Sequence, residues 1–236
     1  MQPKDRLIVA LDVDTLARAM ELMDILSPEV NIFKIGIAPF TDFGQILLDD
    51  AASRGKKIFL DLKFHDIPNT VRNAARAAAR KGVFMMNFHC LGGSRMMEAA
   101  LAGAEEGAGR GGKRPILLGV TILTSMQEND MGEIGIGGSV HDKVLDLAGL
   151  ADLAGLDGVV ASAKEARAIK QKIRNDFIVV TPGVRPSWSE AGDQKRVLTP
   201  AEAVSERADY IVVGRPIIEA KDPAAAARKI IGEMKG

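Results

Sequence analysis

Residues 58–88 read IFLDLKFHDIPNTVRNAARAAARKGVFMMNF. A short apolar run, Ile58–Leu62, leads into an alanine-rich segment, Thr70–Lys81, whose charges recur at helical spacing, and then into a second apolar run, Val83–Phe88. Gly82 separates the helical segment from the second run, the place where a glycine ends a helix. Runs this short and this continuously apolar belong to strands covered on both faces, so the stretch predicts strand, helix and parallel strand.

The same unit recurs in both directions. Further apolar runs are Leu7–Leu11, Ile32–Ile35, Pro115–Leu123, Gly158–Ala161, Phe177–Thr181 and Tyr210–Val213, and further helical segments are Leu16–Leu26, Ser94–Glu106, Ala163–Ile173 and Pro223–Lys235. Asn69 and Ser94 read as helix N-caps or near-caps, and Gly55 as a second C-terminal stop. About eight strands alternating with about eight helices give an α/β fold with a parallel sheet. At this length a closed (β/α)8 barrel, the TIM barrel, fits better than a doubly wound sheet. No linker, low-complexity tract or break in composition divides residues 1–236, which read as one barrel domain.

Composition narrows the functional classes. Lys and Arg number 31 and Asp and Glu 31, for a formal net charge of zero. That balance speaks against nucleic acid and against an anionic membrane surface as partner. Aromatic residues make up 4% of the chain, too few for a base-stacking platform. Cys90 is the single cysteine, so no internal disulfide forms. The first residues, MQPKDRLIVALDVD, lack a signal-peptide layout, and the longest apolar run falls far short of a membrane span. A soluble cytoplasmic protein is expected.

In barrels of this kind chemistry sits at the C-terminal ends of the strands. Charges stand there in this chain: Asp12 after the first strand, Lys34 in the second, Asp61 and Lys63 in the third, and Asp66 just beyond. Residues two apart on a strand share a face, so Asp61 and Lys63 point the same way into a mostly dry environment. Unpaired charges there are costly, and Lys34, Asp61, Lys63 and Asp66 alternate in sign, so they can satisfy one another. A cluster that only fixes the core is the bland alternative, but aliphatic side chains would pack as well at lower cost. A lysine between carboxylates is held as an ammonium and can give up a proton. The carboxylates repel an anionic group placed beside them. Together these features favour loss of CO₂ followed by protonation at the same carbon. A Schiff-base lysine ranks second, because it requires a neutral amine.

Two glycine-arginine loops, TPGVRP (Thr181–Pro186) and VVGRPI (Val212–Ile217), follow the seventh and eighth strands, where barrels commonly bind phosphate. Gly183, Gly214 and the Arg215 amide offer N–H donors, and Arg185 and Arg215 offer charge. A phosphorylated small molecule is the implied ligand. The remaining candidates read as structural. His65, His89 and His141 have no partner at metal-ligand spacing, and no metal is expected. His89 reads as a hydrogen-bonded structural histidine and Cys90 as a buried thiol. Met85, Met86, Met96 and Met97 read as core. The glycine-rich run Gly107–Gly112 lies between a helix and a strand, the reverse of a phosphate-binding loop, and reads as a connector.

The run DLKFHDIPNT (Asp61–Thr70) closely resembles the signature of the orotidine 5′-monophosphate decarboxylase family. The likeness extends to Ala10–Asp12, Phe33–Gly36, Gly119–Met126, TPGVRP, Glu190–Arg196 and Asp209–Ile217, in the same order over most of the chain. The resemblance implies a (β/α)8 homodimer with active sites at the dimer interface and neither metal nor organic cofactor. It implies that the chain converts orotidine 5′-monophosphate to uridine 5′-monophosphate and CO₂, the last step of de novo UMP synthesis. Lys63 would protonate C6 of the pyrimidine and Asp61 would face the departing carboxylate. Asp66 and Thr70 would reach into the partner subunit's site, with Ile67 beside them. Lys34 and Asp12 would hold ribose hydroxyls, and Lys34 would also join the charge chain. Thr124 and Ser125 would meet the pyrimidine edge. Gln194 would close over base and phosphate, and Pro182, Arg185, Gly214 and Arg215 would surround the phosphate. A Mg²⁺-dependent decarboxylase or aldolase acting on a sugar phosphate is one alternative, though it would want an acidic ligand near Lys34. A non-catalytic nucleotide-binding barrel is another, though binding alone gives no reason to set Asp61 beside an anionic ligand.

Overall fold

A computed structural model describes residues 1–189 and 198–235. Among them, eight parallel strands close into a barrel in sequence order, each bonded to the next and the last to the first. The strands are β1 (Leu7–Ala10), β2 (Ile32–Gly36), β3 (Lys57–Phe64), β4 (Met85–His89), β5 (Ile116–Val120), β6 (Gly158–Val160), β7 (Ile178–Thr181) and β8 (Tyr210–Val213). The helices are α1 (Leu16–Leu26), α2 (Ile37–Ser53), α3 (Pro68–Arg80), α4 (Ser94–Ala108), α5 (Glu128–Glu133), α6 (Val140–Leu153), α7 (Ala163–Lys172), α8 (Pro200–Ser205), α9 (Arg215–Ile218) and α10 (Pro223–Glu233). The expected (β/α)8 architecture is therefore present. Pro115–Leu123 yields a shorter strand than its apolar run suggested, because residues from Thr121 onward turn out into the loop before α5.

Strand alternation divides the core into two layers. Ile8, Ala10, Ile32, Phe59, Met85, Leu118, Val180, Tyr210 and Val212 point inward and fill the barrel. Their neighbours Leu7, Val9, Phe33, Ile35, Ile58, Leu60, Met86 and Phe88 point outward and pack beneath the helices. This is why the strands read as continuous apolar runs: both faces are dry. Two residues beyond Ile32, Phe59 and Met85, the inward positions change character, to Lys34, Asp61 and Asn87, all buried. The polar chemistry thus begins where the inner apolar layer stops, at the C-terminal end of the strands.

Glycines set several element boundaries. Gly55 and Gly82 adopt φ of 65° and 70°, the left-handed conformation expected of helix stops. Asn69 and Ser94 are near-caps, each within the first turn. Pro68 opens α3 with Ile67 as its cap, so Asn69 lies inside the first turn, and Gly93 caps α4 in place of Ser94. Gly107 is more than part of a connector. It lies in the last turn of α4 against the Arg76 carbonyl, and Gly103 lies one turn earlier against the Arg72 carbonyl, where any side chain would strike the α3 backbone.

Candidate active site

The strand ends assemble a chain of alternating charge. Lys34 Nζ lies 3.2 Å from Asp12 Oδ1 and 3.4 Å from Asp61 Oδ2. Lys63 Nζ lies 2.7 Å from Asp61 Oδ1. The sequence order Asp12, Lys34, Asp61, Lys63 is thus an order in space, running across β1, β2 and β3. Gly36 makes room for it: a β-carbon there would come within 3.0 Å of Lys34 Nζ and 3.2 Å of Asp12 Oδ1. Exposure falls and then rises along the chain. The side chains of Lys34 and Asp61 keep 11% and 12% of their surface, whereas Asp12 keeps 57% and Lys63 29%. The two middle charges are dry and mutually paired, and the end charges meet solvent.

Asp61 and Lys63 come together, but not by simple strand alternation. β3 pairs with β4 through Leu60↔Met86 and then Phe64↔Phe88, so Asp61, Leu62 and Lys63 together span what Asn87 alone spans. Lys63 adopts φ of 49° within this bulge, a left-handed conformation uncommon for a non-glycine residue. The buried Asn87 bridges the irregularity. Its Oδ1 accepts from the Lys63 backbone N–H at 2.8 Å and its Nδ2 donates to Asp61 Oδ1 at 2.7 Å. Reading the sequence alone missed Asn87 and Gly36. The signal for Asn87 was present as a lone amide in an otherwise apolar strand, MMNFH, directly across from Asp61–Lys63.

Asp66 stays outside the charge chain of its own subunit, contrary to the expectation that four charges pair with one another. Its Oδ1 accepts from the Ile67 N–H at 2.6 Å, and residues 65–70 form an exposed strip running from the end of β3 into the first turn of α3. Ile67 is 67% exposed there, and Thr70 lies on the same strip. Thr124 and Ser125 form a turn after β5, the first partly covered and the second exposed. Gln194 lies outside the described residues.

A cleft of about 470 Å³ adjoins the exposed end of the charge chain. Asp12 and Lys34 line one side, Pro182 and Arg185 from the loop after β7 another, and Gly214 and Arg215 after β8 a third. Gly183 takes φ of 73° at the turn out of β7, and a backbone hydrogen bond from Arg185 to Leu198, 3.0 Å, secures that loop. Both arginine loops identified from sequence therefore meet at one cavity that also holds two members of the charge chain. A cavity of about 500 Å³ lies farther round the barrel, beyond Ser125, lined by Met126, Gln127, His141 and Glu165, and includes none of these charges.

His65 and His89 lie beside the Lys63 end of the charge chain, with Cys90 next in sequence. The His65 and His89 rings lie 5.5 Å apart. His89 Nδ1 is buried without a hydrogen-bond partner among the described residues, which departs from the expected hydrogen-bonded role. Burial, then the nearby His65 and Lys63, hold His89 below the ordinary histidine value. Cys90 is buried as expected, and desolvation pushes its thiol up to about 12. Among the described residues no three His, Cys, Asp or Glu side chains gather as a metal-ligating group, and no helix is long and apolar enough to cross a membrane.

Comparison with known proteins agrees over the whole length. Residues 5–230 match the model of the Orotidine 5'-phosphate decarboxylase / HUMPS family. The chain is 50% identical over 237 residues to the Orotidine 5'-phosphate decarboxylase of Moorella thermoacetica, covering 100% of this chain and 94% of that protein. It is 48% identical over 225 residues to the protein of the same name from Vibrio cholerae, covering 95% and 96%. The crystal structure of Orotidine 5'-phosphate decarboxylase from Lactobacillus acidophilus superposes with a TM-score of 0.87 at 37% identity, covering 98% of this chain and 100% of that one.

Proposed function

The chain belongs to the Orotidine 5'-phosphate decarboxylase / HUMPS family, and from that premise we propose how its site removes CO₂ from orotidine 5'-monophosphate. One observation carries the reading: the alternating chain Asp12–Lys34–Asp61–Lys63, dry at its middle pair, begins at a cleft that both arginine loops line. The 5'-phosphate sits among Arg185, Gly214 and Arg215, with Pro182 shaping the wall, and the ribose hydroxyls meet Asp12 and Lys34. The pyrimidine then lies toward Lys63, with Thr124 and Ser125 at its edge and Gln194 over base and phosphate. Its carboxylate faces Asp61, whose two oxygens are paired with Lys34 and Lys63.

The bond between C6 and the carboxylate breaks, the electron pair stays on C6, and CO₂ departs. The pair lies in the ring plane at an sp² carbon, where delocalisation does not reach it, so stabilisation falls to fixed charge nearby. The Lys63 ammonium supplies that charge and then its proton to C6. Lys63 is left neutral and recovers a proton from solvent when product leaves. Binding energy from the phosphate, remote from C6, holds the ring in place for this step.

We assign the working form to a cytoplasmic homodimer. The exposed strip of Asp66, Ile67 and Thr70 meets no member of its own chain's charge cluster, which supports a role in the site of a second copy. Loss of orotidine 5'-monophosphate absorbance, followed with purified protein in excess chelator, tests the reaction. Turnover should persist with chelator present, and Lys63→Ala should lower it by at least about a hundredfold. Turnover that requires a divalent ion would favour the sugar-phosphate side of the family, and near-normal turnover by Lys63→Ala would remove that residue from the chemistry.

A further inference from the structure

We propose that Asn87 is a positioning residue for this decarboxylation, holding the Asp61 carboxylate and the Lys63 backbone in one fixed geometry; the proposal rests on the functional reading above. Three hydrogen bonds close a ring. The Lys63 N–H donates to Asn87 Oδ1 at 2.8 Å, Asn87 Nδ2 donates to Asp61 Oδ1 at 2.7 Å, and Lys63 Nζ returns to that same Oδ1 at 2.7 Å. The orientation of the amide is dictated by its partners, since a backbone N–H requires an oxygen and a carboxylate requires a donor.

The bulge explains why such a residue is needed. With Asp61–Lys63 looped out against one residue of β4, the Lys63 N–H has no carbonyl of the ladder to meet. Asn87 substitutes for that carbonyl and steadies a lysine backbone at φ of 49°. Without it, a partly buried N–H loses its partner and the strained conformation loses its support. The effect on Asp61 is directional. Lys34 Nζ approaches Oδ2 at 3.4 Å, farther than the two donors on Oδ1. Asn87 therefore biases Asp61 toward Lys63 and away from Lys34. The charged and titratable groups around the amide are Asp61 and Lys63 on β3, Lys34 on β2, and His89 two residues along β4, while β5 opposes it with the apolar Leu118.

Asn87→Ala and Asn87→Asp test this. Asn87→Ala should lower kcat by at least about tenfold while KM stays within about threefold, because the phosphate contacts are remote from the ring of bonds. A purely structural role would instead lower the folded fraction and leave kcat per folded molecule unchanged. In Asn87→Asp the new carboxyl keeps the acceptor for Lys63 but sets a second negative charge against Asp61. As pH falls the two carboxyls share one proton, and an O–H replaces the lost N–H donor. The kcat of Asn87→Asp, divided by that of the parent, should rise at least about tenfold between about pH 8 and pH 5.5. A folded Asn87→Ala with kcat within about twofold of the parent overturns the proposal. If Asn87→Ala does not fold, a flat ratio for Asn87→Asp overturns it. Amide hydrogen exchange at Lys63 separates this claim from the functional one. Slow exchange in the parent that quickens in Asn87→Ala supports the positioning role even if the parent fails to turn over orotidine 5'-monophosphate, and rapid exchange in the parent refutes it.

Discussion

A lysine backbone at φ of 49° is held at a cost of about 1–2 kcal/mol relative to ordinary strand geometry. It persists at Lys63 because the surrounding hydrogen bonds determine it, and such strain gathers at functional positions. At this scale the sequence pointed to charges that the fold brings together but not to how they meet. The i, i+2 spacing of Asp61 and Lys63 pointed to a shared face, and the two do meet, yet through a bulge that no spacing rule contains. Arg215 permits a direct test at the phosphate end. Arg215→Ala should raise KM and slow turnover with thermal stability unchanged, and unaltered kinetics would remove the residue from phosphate binding. His89 links stability to pH. Burial, with His65 and Lys63 nearby, lowers its proton affinity in the folded chain below the ordinary value of 6.5, so the unfolded chain binds the extra proton first. The stability that this histidine contributes is present above that pH and is lost as pH falls toward its folded value. Melting temperatures measured between about pH 7.5 and pH 5 should therefore drop less steeply in His89→Gln than in the parent. Equal slopes would assign the acid sensitivity elsewhere.

At the scale of elements, strands were readable because both their faces are dry, and helix starts were less so. The side-chain type favoured Asn69 as a cap, whereas α3 begins at Pro68, whose fixed φ already suits a first helical turn. The pairing of α3 with α4 was not legible in composition at all. Gly103 and Gly107 let the two helices approach until glycine hydrogens face carbonyl oxygens, and Glu106 bonds both Arg72 and Arg76 across the seam. Gly103→Ala forces the helices apart, with an expected loss of about 1–3 kcal/mol in urea unfolding. The same shift moves the start of α3, next to the strip of Asp66, Ile67 and Thr70. Wild-type stability in Gly103→Ala would show that the seam yields without strain.

At the scale of the molecule, the count and order of strands were enough to indicate a closed barrel, and the C-terminal rule then pointed to the end where the charge chain lies. What one chain could not disclose is that Asp66 lies apart from the charges it alternates with; in the proposed dimer a second copy completes its surroundings. Mixing Lys63→Ala with Asp66→Ala chains gives a decisive experiment. In a mixed pair one site receives both defects and the other neither, so activity should return to a fraction of the parent level as subunits exchange. Exchange demonstrated by mass, with no recovery of turnover, would mean that each site is built from a single chain. The inner layer, from Ile8 and Phe59 round to Tyr210 and Val212, fills the barrel beneath the charges with packed side chains. The vessel is therefore stoppered at one end. In the proposed reaction the nucleotide, the released gas and the water that reprotonates Lys63 all use the opposite end, so the gas must slip past the nucleotide or wait behind it.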